Sequence, residues 1–329
     1  MKKVLITGAT GFIGGYITKA AVNRGWQVYT GIRKNSNLDY IKELNVQLLE
    51  LNLNDPASLE AVLMELNPDI IIHNAGLTKA NSQEELNFVN GELTHNLAKA
   101  SQFPGNNLSK FVFMSSLASY GPADNHGQDQ INDQCTPHPV TMYGKSKLLA
   151  ETLLKEIPNL PYIILRPTAV YGPREKDLFS VFKMVASGLG LYTGKGNQKL
   201  TFIHVYDLVE LIIRLAENEV VAKSYFVSDG QTYSPTELNS IIAKNLGKKI
   251  VNFGLPLWLV NIVAYLSEWV GKISGKVPAL NVDKLHEIKA LNWQCDVEAL
   301  YRDTQYTPQY KLEKGIAETV QWYKTNNWI

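Results

Sequence analysis

Two side chains able to move a proton, Tyr143 and Lys147, lie four residues apart. The surrounding segment has helical periodicity, and residues at this spacing project from one face of a helix. A phenol with an ordinary pKa of about 10 is a poor proton-transfer group at neutral pH unless its phenolate is stabilised. A nearby lysine ammonium stabilises the phenolate by its charge. Alone, the pair would usually indicate only an amphipathic helix face, so a catalytic role has to be supported by other motifs in the sequence.

Ser116 adds a third group to this pair. It follows the apolar run Lys110–Ser115, which predicts a buried strand. In an open sheet of parallel strands, ligands bind at the carboxyl ends of the strands. A hydroxyl at that edge can polarise a carbonyl oxygen or hold an alcohol. We therefore predict a catalytic centre formed by Ser116, Tyr143 and Lys147.

A glycine-rich loop at the amino terminus predicts a dinucleotide site. Gly8, Gly11 and Gly14 follow a short apolar strand and open a helical segment. Such glycines allow a tight turn, a close approach of the backbone to a pyrophosphate, and close packing of helix against strand. The phosphates then lie at the helix amino terminus, where free N–H groups favour anions. The alternative is a glycine-rich turn without a ligand.

The elements that must position these groups alternate between strand and helix in the first half of the chain. This alternation predicts right-handed βαβ units and a doubly wound, parallel Rossmann sheet. The near-continuous apolar runs suit strands that are buried on both faces. The predicted strands are Val4–Thr7, Gln27–Ile32, Val46–Leu51, Asp69–His73, Lys110–Ser115 and Tyr162–Arg166, and the predicted helices are Phe12–Asn23, Pro56–Leu66, Glu84–Ser101 and Tyr143–Ile157.

The pattern changes after Arg166, where prolines and glycines punctuate the chain. Thr201–Val205 and Tyr225–Ser228 are predicted as isolated strands, and the chain beyond Gln231 is mostly helical. We expect an α/β fold with a Rossmann domain over residues 1–170, a return strand near 201–228, and a smaller, mostly helical substrate-binding lobe over 171–329.

Together these motifs resemble the extended short-chain dehydrogenase/reductase superfamily, which includes the NAD-dependent epimerase/dehydratase family. The Gly-x-x-Gly-x-x-Gly spacing is typical of that group, and the resemblance covers nearly the whole chain. It implies an NAD(P)-dependent oxidoreductase that transfers a hydride between the nicotinamide cofactor and its substrate. The motifs that carry it are Thr7–Gly14, His73-Asn74-Ala75-Gly76, Asn90, Ser115-Ser116, Tyr143-Gly144-Lys145-Ser146-Lys147 and Arg166–Pro173.

The resemblance also implies roles for individual residues. It selects Ser116 over Ser115, because the catalytic serine of the family lies four residues before the tyrosine of the pair Tyr120-Gly121. Ser115 is then expected chiefly to end its strand. The predicted dinucleotide contacts are Gly8, Thr10, Gly11, Phe12, Ile13, Gly14, Arg33, Asn52, Leu53, Asn74, Ala75, Gly76, Ser115, Tyr143, Lys147, Pro167, Thr168 and Val170.

Arg33 favours NADP(H) over NAD(H), although NAD(H) remains an alternative. The Rossmann pattern usually has an acidic residue at the end of the second strand to bind the ribose 2′-hydroxyl. This chain has Arg33-Lys34 there, and a guanidinium matches a 2′-phosphate with two parallel hydrogen bonds. The alternative is an ordinary solvated charge. Asn52 replaces the aspartate that the family usually has near the adenine.

Two departures from the sugar-nucleotide relatives favour a hydrophobic ketone or secondary alcohol, steroid-like or lipid-like. Those relatives carry a diphosphate-binding arginine where this chain has Leu200, and often an asparagine where it has Ala169. The apolar segment 253–266 resembles the branch of 3-beta-hydroxysteroid dehydrogenases and dihydroflavonol reductases. Such a segment packs in the core or a dimer interface, lines an apolar pocket, or contacts a membrane interface.

Two other functions remain open, a nucleotide-sugar epimerase or dehydratase and a non-catalytic NADP(H) sensor. A sensor would not need the Ser-Tyr-Lys set. Among partners we expect a small hydrophobic substrate, and the family resemblance implies a homodimer through Glu84–Ser101 and Tyr143–Ile157. Membrane contact through residues 255–270 is possible, but no run approaches the roughly 20 apolar residues of a spanning helix.

The composition of the chain argues against nucleic-acid binding, a disulfide framework and a metal site. The net charge of +1 gives no reason to expect a nucleic-acid partner. Two distant cysteines, Cys135 and Cys295, argue against a disulfide framework and favour a reducing compartment, so we expect a cytoplasmic protein. His73 and His204 are expected to be satisfied, partly buried residues. Without clustered ligands, no metal site is predicted.

Overall fold

The computed structural model describes residues 1–125, 129–274, 278 and 281–329. Its strands are β1 (Lys3–Thr7), β2 (Gln27–Ile32), β3 (Gln47–Glu50), β4 (Ile70–His73), β5 (Lys110–Met114), β6 (Tyr162–Pro167), β7 (Ala169–Tyr171), β8 (Leu189–Thr193), β9 (Phe202–His204), β10 (Lys223–Val227) and β11 (Val251–Leu255). Its α-helices are α1 (Phe12–Asn23), α2 (Pro56–Leu66), α3 (Gln83–Leu86), α4 (Leu93–Ala100), α5 (Met142–Lys155), α6 (Phe179–Ala186), α7 (Val205–Glu217), α8 (Pro235–Leu246), α9 (Leu257–Ser274), α10 (Val282–Lys289), α11 (Glu298–Thr304) and α12 (Leu312–Thr325).

Seven parallel strands form the central sheet, in the order β10-β6-β5-β4-β1-β2-β3. The order reverses at β1, so the cleft for a ligand opens between the carboxyl ends of β1 and β4, as expected for a doubly wound sheet. Helices cover both faces. The predicted Rossmann fold is confirmed.

Alternate side chains of each strand enter different cores. Val4 and Ile6 of β1 pack with α1 and α7, whereas Leu5 packs on the other face with α2, α4 and α5. The same alternation holds along β4 and β5. Continuous apolar runs in the sequence therefore correspond to strands buried from both sides.

The segment predicted as one helix over Glu84–Ser101 contains a π-helical turn. Residues Asn87–Glu92 form this turn between α3 and α4. It places Asn90 in the interior, where its side chain binds both backbone groups of Leu77. Hydrophobic periodicity predicts a helix but does not distinguish this turn from an α-helical one.

The two isolated strands predicted after Arg166 enter different sheets. β9 pairs with β7 in a small two-stranded sheet, whereas β10 pairs with β6 at the edge of the central sheet. The chain between them, α7, packs on α1. Helices α6, α8 and α12 enclose a separate hydrophobic core that contains Phe182, Leu238 and Tyr323.

Candidate active site

The turn between β1 and α1 requires glycine at two positions. Gly8 has a positive φ of +69°, and its carbonyl oxygen accepts a hydrogen bond from the backbone N–H of Gly11 at 3.0 Å. A Cβ on Gly14 would lie 2.0 Å from that same oxygen. Only glycine at position 14 allows α1 to approach the strand so closely, which is the geometry of a dinucleotide-binding loop.

The amino terminus of α1 has no side-chain cap. Gly11 is the capping residue and offers no side-chain acceptor, so the first N–H groups of the helix are available to an anion. Phe12 and Ile13 line a cleft directly in front of this terminus. The residues present therefore fit the pyrophosphate of a dinucleotide.

The cleft encloses about 580 Å³ along the carboxyl edge of the sheet. It unites predicted site residues from five segments that are far apart in the sequence. Those that line it are Gly11, Phe12, Ile13, Asn74, Gly76, Ser115, Ser116, Tyr143, Lys147, Pro167, Thr168 and Val170.

Other predicted contacts lie around the cleft without lining it. Arg33 and Asn52 are exposed at the ends of the neighbouring strands β2 and β3, and Leu53 is half-buried beside Asn52. Thr10 is half-buried in the glycine loop. Ala75 donates its backbone N–H to the hydroxyl of Thr7 at 3.3 Å. Arg33 and Asn52 lie at the edge of the sheet along which the adenosine end of a dinucleotide extends in this fold.

Sequence reasoning missed Arg174 and Tyr40, which also line the cleft. Arg174 has a positive φ of 75°, which is uncommon for a residue other than glycine. Its guanidinium carbon lies 4.9 Å from the ring centre of Tyr40 and 5.5 Å from that of Tyr16. No sequence signal marks this backbone conformation, because it depends on the packing of the loop after β7 against α1.

Ser116, Tyr143 and Lys147 meet where β5 and α5 converge. Thr141 caps the amino terminus of α5 by accepting a hydrogen bond from the N–H of Gly144. The hydroxyls of Ser116 and Tyr143 share a hydrogen bond. The Nζ atom of Lys147 lies 6.0 Å from the ring centre of Tyr143 and donates to the carbonyl oxygen of Met114 at 2.7 Å.

Burial shifts both titrating groups of this centre. It raises the pKa of Tyr143 to about 12, with a smaller raising effect from the carboxylate of Glu287 and a lowering effect from the bond to Ser116. Burial lowers the pKa of Lys147 to about 8, and the charge of Glu151 opposes that change. The phenol is therefore protonated at neutral pH, so it is poised to donate a proton rather than to accept one.

Two features fix the walls around Lys147. A Cβ on Gly76 would lie 2.8 Å from Oδ1 of Asn90 and 3.3 Å from Nζ of Lys147, so a larger side chain would displace both. Asn90 also donates to the hydroxyl of Ser146 at 2.9 Å. The π-helical turn thus ties the loop after β4 to α5.

Ser115 belongs to a buried ionic network. Its hydroxyl donates to the carboxylate of Glu151 at 2.5 Å, and Ser119 donates to the same oxygen at 2.9 Å. Arg166 donates to both carboxylate oxygens of Glu151, and both side chains are fully buried. The network fastens the end of β5 to α5 and β6, so it sets the position of Ser116.

A second cavity, of about 490 Å³, adjoins the first at Ser116 and Tyr143. Most of its wall is apolar and comes from β8, β9, α8 and α10. Leu200, at the position where sugar-nucleotide relatives carry an arginine, lines this cavity. Other wall residues are Leu117, Leu178, Val181, Leu191, Phe202, Leu238, Ile288 and Trp293.

The charged residues in this second wall are Lys284 and Glu287, and they form an ion pair. Glu287 also accepts a hydrogen bond from the hydroxyl of Thr141 at 3.1 Å. The ammonium of Lys284 is thus already neutralised. None of residues 255–270, which are all described, lines this cavity. The pocket-lining interpretation of that segment does not hold in the structure.

The two histidines are buried and uncharged. His73 binds the hydroxyls of Thr7 and Thr94 at 2.7 and 2.9 Å, and His204 stacks on Tyr310 with ring centres 4.6 Å apart. Burial lowers the pKa of each to about 3. Within the described part of the chain, no three histidine, cysteine or carboxylate side chains are grouped to hold a metal ion.

The chain resembles known proteins in sequence and in fold. The model of the "NAD dependent epimerase/dehydratase family" matches residues 4–227. A "Ceramide reductase" of Caulobacter vibrioides is 24% identical over 330 residues, which cover 99% of this chain and 96% of that protein. A "UDP-glucose 4-epimerase" of Vibrio cholerae is 28% identical over 336 residues, 97% and 95% of the two chains.

A "3-beta-hydroxysteroid dehydrogenase" of Mycolicibacterium neoaurum is 26% identical over 348 residues, which cover 98% of this chain and 91% of that protein. Among solved structures, a UDP-glucuronic acid 4-epimerase from Bacillus cereus in complex with NAD superposes with a TM-score of 0.77. It is 19% identical, and the match covers 98% of this chain and 99% of that one. At that identity the superposition shows a shared fold.

Proposed function

The chain belongs to the NAD-dependent epimerase/dehydratase family. We propose that it is an NAD(P)-dependent oxidoreductase whose substrate is a hydrophobic ketone or secondary alcohol, such as a lipid ketone. The observation that carries the proposal is the apolar cavity that opens onto Ser116 and Tyr143. An aliphatic substrate gains about 25 cal/mol for each Å² of apolar surface that it buries there.

The charges of the cavity argue against a nucleotide diphosphate. A diphosphate brought into a closed site needs paired positive charge. Leu200 supplies none, and Lys284 is already paired with Glu287. The exposed Lys199, next to Leu200, does not line the cavity.

In the proposed mechanism, Ser116 and Tyr143 bind the carbonyl oxygen of the substrate. The hydroxyl of Ser116 donates one hydrogen bond, and Tyr143 transfers its phenolic proton to that oxygen. A nicotinamide held beside Pro167, Thr168 and Val170 would supply the hydride that reduces the carbonyl carbon. Lys147 stabilises the resulting phenolate by charge and offers its ammonium to the ribose hydroxyls. Lys147 is buried, whereas Tyr143 is half-buried and faces both cavities, where a substrate can reach its hydroxyl.

The proposed cofactor is NADP(H), with NAD(H) as the alternative. Arg33 is exposed at the end of β2, and its backbone N–H donates to Ser36 at 3.0 Å, which leaves the guanidinium outside that turn. There it can form two charge-assisted hydrogen bonds to a 2′-phosphate. Pro167, Thr168 and Val170 line the nicotinamide end of the cleft in this proposal.

A nucleotide-sugar epimerase or dehydratase is the competing function, because the Vibrio cholerae relative acts on a UDP-sugar by its name. The two functions are separated by assaying the protein with NADPH and a panel of hydrophobic ketones, followed at the nicotinamide absorbance. In parallel, the melting temperature is measured with cofactor and UDP- or dTDP-sugars. Ketone-dependent oxidation of NADPH is expected, without a thermal shift from the sugars.

A matched pair of variants tests the cavity itself. Leu200→Arg places a guanidinium in the apolar wall and is expected to reduce ketone turnover. Lys199→Arg places the same group on the exposed neighbour and is expected to leave turnover unchanged. A clear thermal shift with a nucleotide sugar, and no turnover of any hydrophobic ketone, would decide for the epimerase or dehydratase.

A further inference from the structure

Helix α9 and strand β11 expose an unusually apolar surface, which we call the α9 patch. It is defined by Phe253, Trp258, Tyr265, Leu266, Trp269 and Val270, each between 55% and 63% exposed. The five helical members follow one another at spacings of seven, one, three and one residues, so they share one side of α9. Monomeric soluble proteins rarely leave so large a contiguous apolar surface uncovered.

The opposite side of α9 explains how the helix is held. Val260 and Ala264 are buried against Leu285 of α10, with Leu255 and Ile288 packed around them. This small cluster is separate from the central cores of the protein. Packing on α10 therefore satisfies one side of α9 and leaves the aromatic side facing outward.

The elements that carry the patch pack against elements of the substrate-cavity wall. Ile288 packs beneath α9 and also lines that cavity, and β11 pairs along β8, whose residues Leu191 and Tyr192 form part of the same wall. Ile288 thus joins the cluster that holds α9 to the wall of the cavity.

The charges around the patch select the kind of partner. Lys248 and Lys249 are exposed immediately before β11, and Lys195 is exposed in the turn where the N–H of Gly194 bonds to Leu255. Glu268, the acidic residue of α9, accepts a hydrogen bond from the backbone of Val282 and so turns toward α10. Lysines that flank tryptophan and tyrosine suit the headgroup region of an anionic bilayer.

We propose that the α9 patch docks on the surface of an anionic phospholipid bilayer, with Trp258 and Trp269 at the headgroup level, and that the substrate enters the cavity from this surface. The entry route rests on the proposed function, whereas docking itself does not. The helix lies on the membrane in this arrangement. Among the described residues, no helix is long and apolar enough to cross a membrane.

Flotation of the full chain with vesicles tests docking. Vesicles of phosphatidylcholine alone are compared with vesicles that also contain phosphatidylglycerol. We expect the protein to float with the anionic vesicles and to be partly released by salt, because the lysine contribution is screened. The double variant Trp258→Asp, Trp269→Asp is expected to partition at least ~10-fold less, since burial of a large aromatic side chain is worth more than that factor.

Met64→Asp is the matched control. Met64 is 54% exposed on α2, away from the patch, so this change adds a charge to an exposed apolar residue without touching α9. It is expected to float like the unmodified chain. Equal dinucleotide affinity in both variants verifies that the Rossmann fold is intact.

Two results would overturn the docking proposal. One is flotation of the double variant equal to that of the unmodified chain. The other is absence of flotation by the unmodified chain; a dimer that the double variant converts to a monomer would then assign the patch to an interface between two copies.

Turnover separates docking from the proposed function. A water-soluble short-chain ketone should be reduced equally by the unmodified chain and the double variant, whereas a long-chain ketone embedded in vesicles should be reduced faster by the unmodified chain. Flotation without reduction of either ketone would refute the proposed function and support docking. Reduction of both ketones without flotation would refute docking and support the proposed function.

Discussion

The Nζ atom of Lys147 donates a hydrogen bond to the carbonyl oxygen of Met114 at 2.7 Å. This contact joins α5 to the end of β5, one residue before the Ser115-Ser116 pair. It holds the ammonium inside the cleft at a position from which it also faces the Tyr143 ring. The charge of Lys147 is therefore placed by the backbone of a strand rather than by a side-chain partner.

The first prediction concerns pH. Burial lowers the pKa of Lys147 to about 8, so its charge is present below that pH and lost above it, while Tyr143, with a pKa raised to about 12, keeps its proton. We expect kcat/KM for ketone reduction to fall as the pH rises through about 8. In Lys147→Arg, which stays charged, this fall should move to higher pH. A profile that is level from pH 7 to about 10 would contradict the assignment.

The second prediction concerns proton transfer. Tyr143→Phe should lower turnover by at least the ~10²-fold typical of a lost acid–base group and leave dinucleotide affinity nearly intact. Lys147→Ala should reduce both turnover and affinity, because its ammonium also binds the ribose hydroxyls in the proposed mechanism. Steady-state kinetics and cofactor titration measure the two effects. Normal turnover in Tyr143→Phe would refute the mechanism.

The third prediction concerns cofactor preference. A charge-assisted contact from Arg33 is worth on the order of 1.5–3 kcal/mol, so NADPH should bind roughly ten- to a hundred-fold more tightly than NADH. Arg33→Ala should lose most of this preference. Arg174→Ala is the matched comparison, since Arg174 lines the cleft beside the glycine loop and should affect both cofactors. Equal affinities in the unmodified chain would refute the role of Arg33.

The fourth prediction concerns the ionic network under the site. Removal of one partner of a fully buried pair leaves an uncompensated charge, so Glu151→Ala should lower the free energy of unfolding by about 3–5 kcal/mol. Glu313 pairs with Lys244 on the surface, where solvent screens the charges, and Glu313→Ala should change the free energy of unfolding far less than Glu151→Ala does. Denaturant titration measures both. A similarly small loss of unfolding free energy in both variants would show that Glu151 is not part of a buried ionic network.

Much of the fold could be predicted because its signals are local. The limits of α1, α2 and β2 agree with the sequence pattern, since each helix repeats its apolar side and the first residues of β2 alternate between half-buried and buried. The glycine loop was predictable for a similar reason: Gly8 and Gly14 are required by contacts within a single strand–turn–helix unit.

The sequence by itself identified the family to which the chain belongs and predicted a centre of Ser116, Tyr143 and Lys147. The tertiary structure decided the surroundings of these residues. The surroundings of Tyr143 raise the pKa of its phenol to about 12, the π-helical turn directs Asn90 toward Leu77, and loop packing brings Arg174 into the cleft. The structure also turned the apolar segment 255–270 partly outward, although its composition fitted a core equally well. These outcomes depend on contacts between residues far apart in the chain, and local periodicity and spacing carry no record of such contacts.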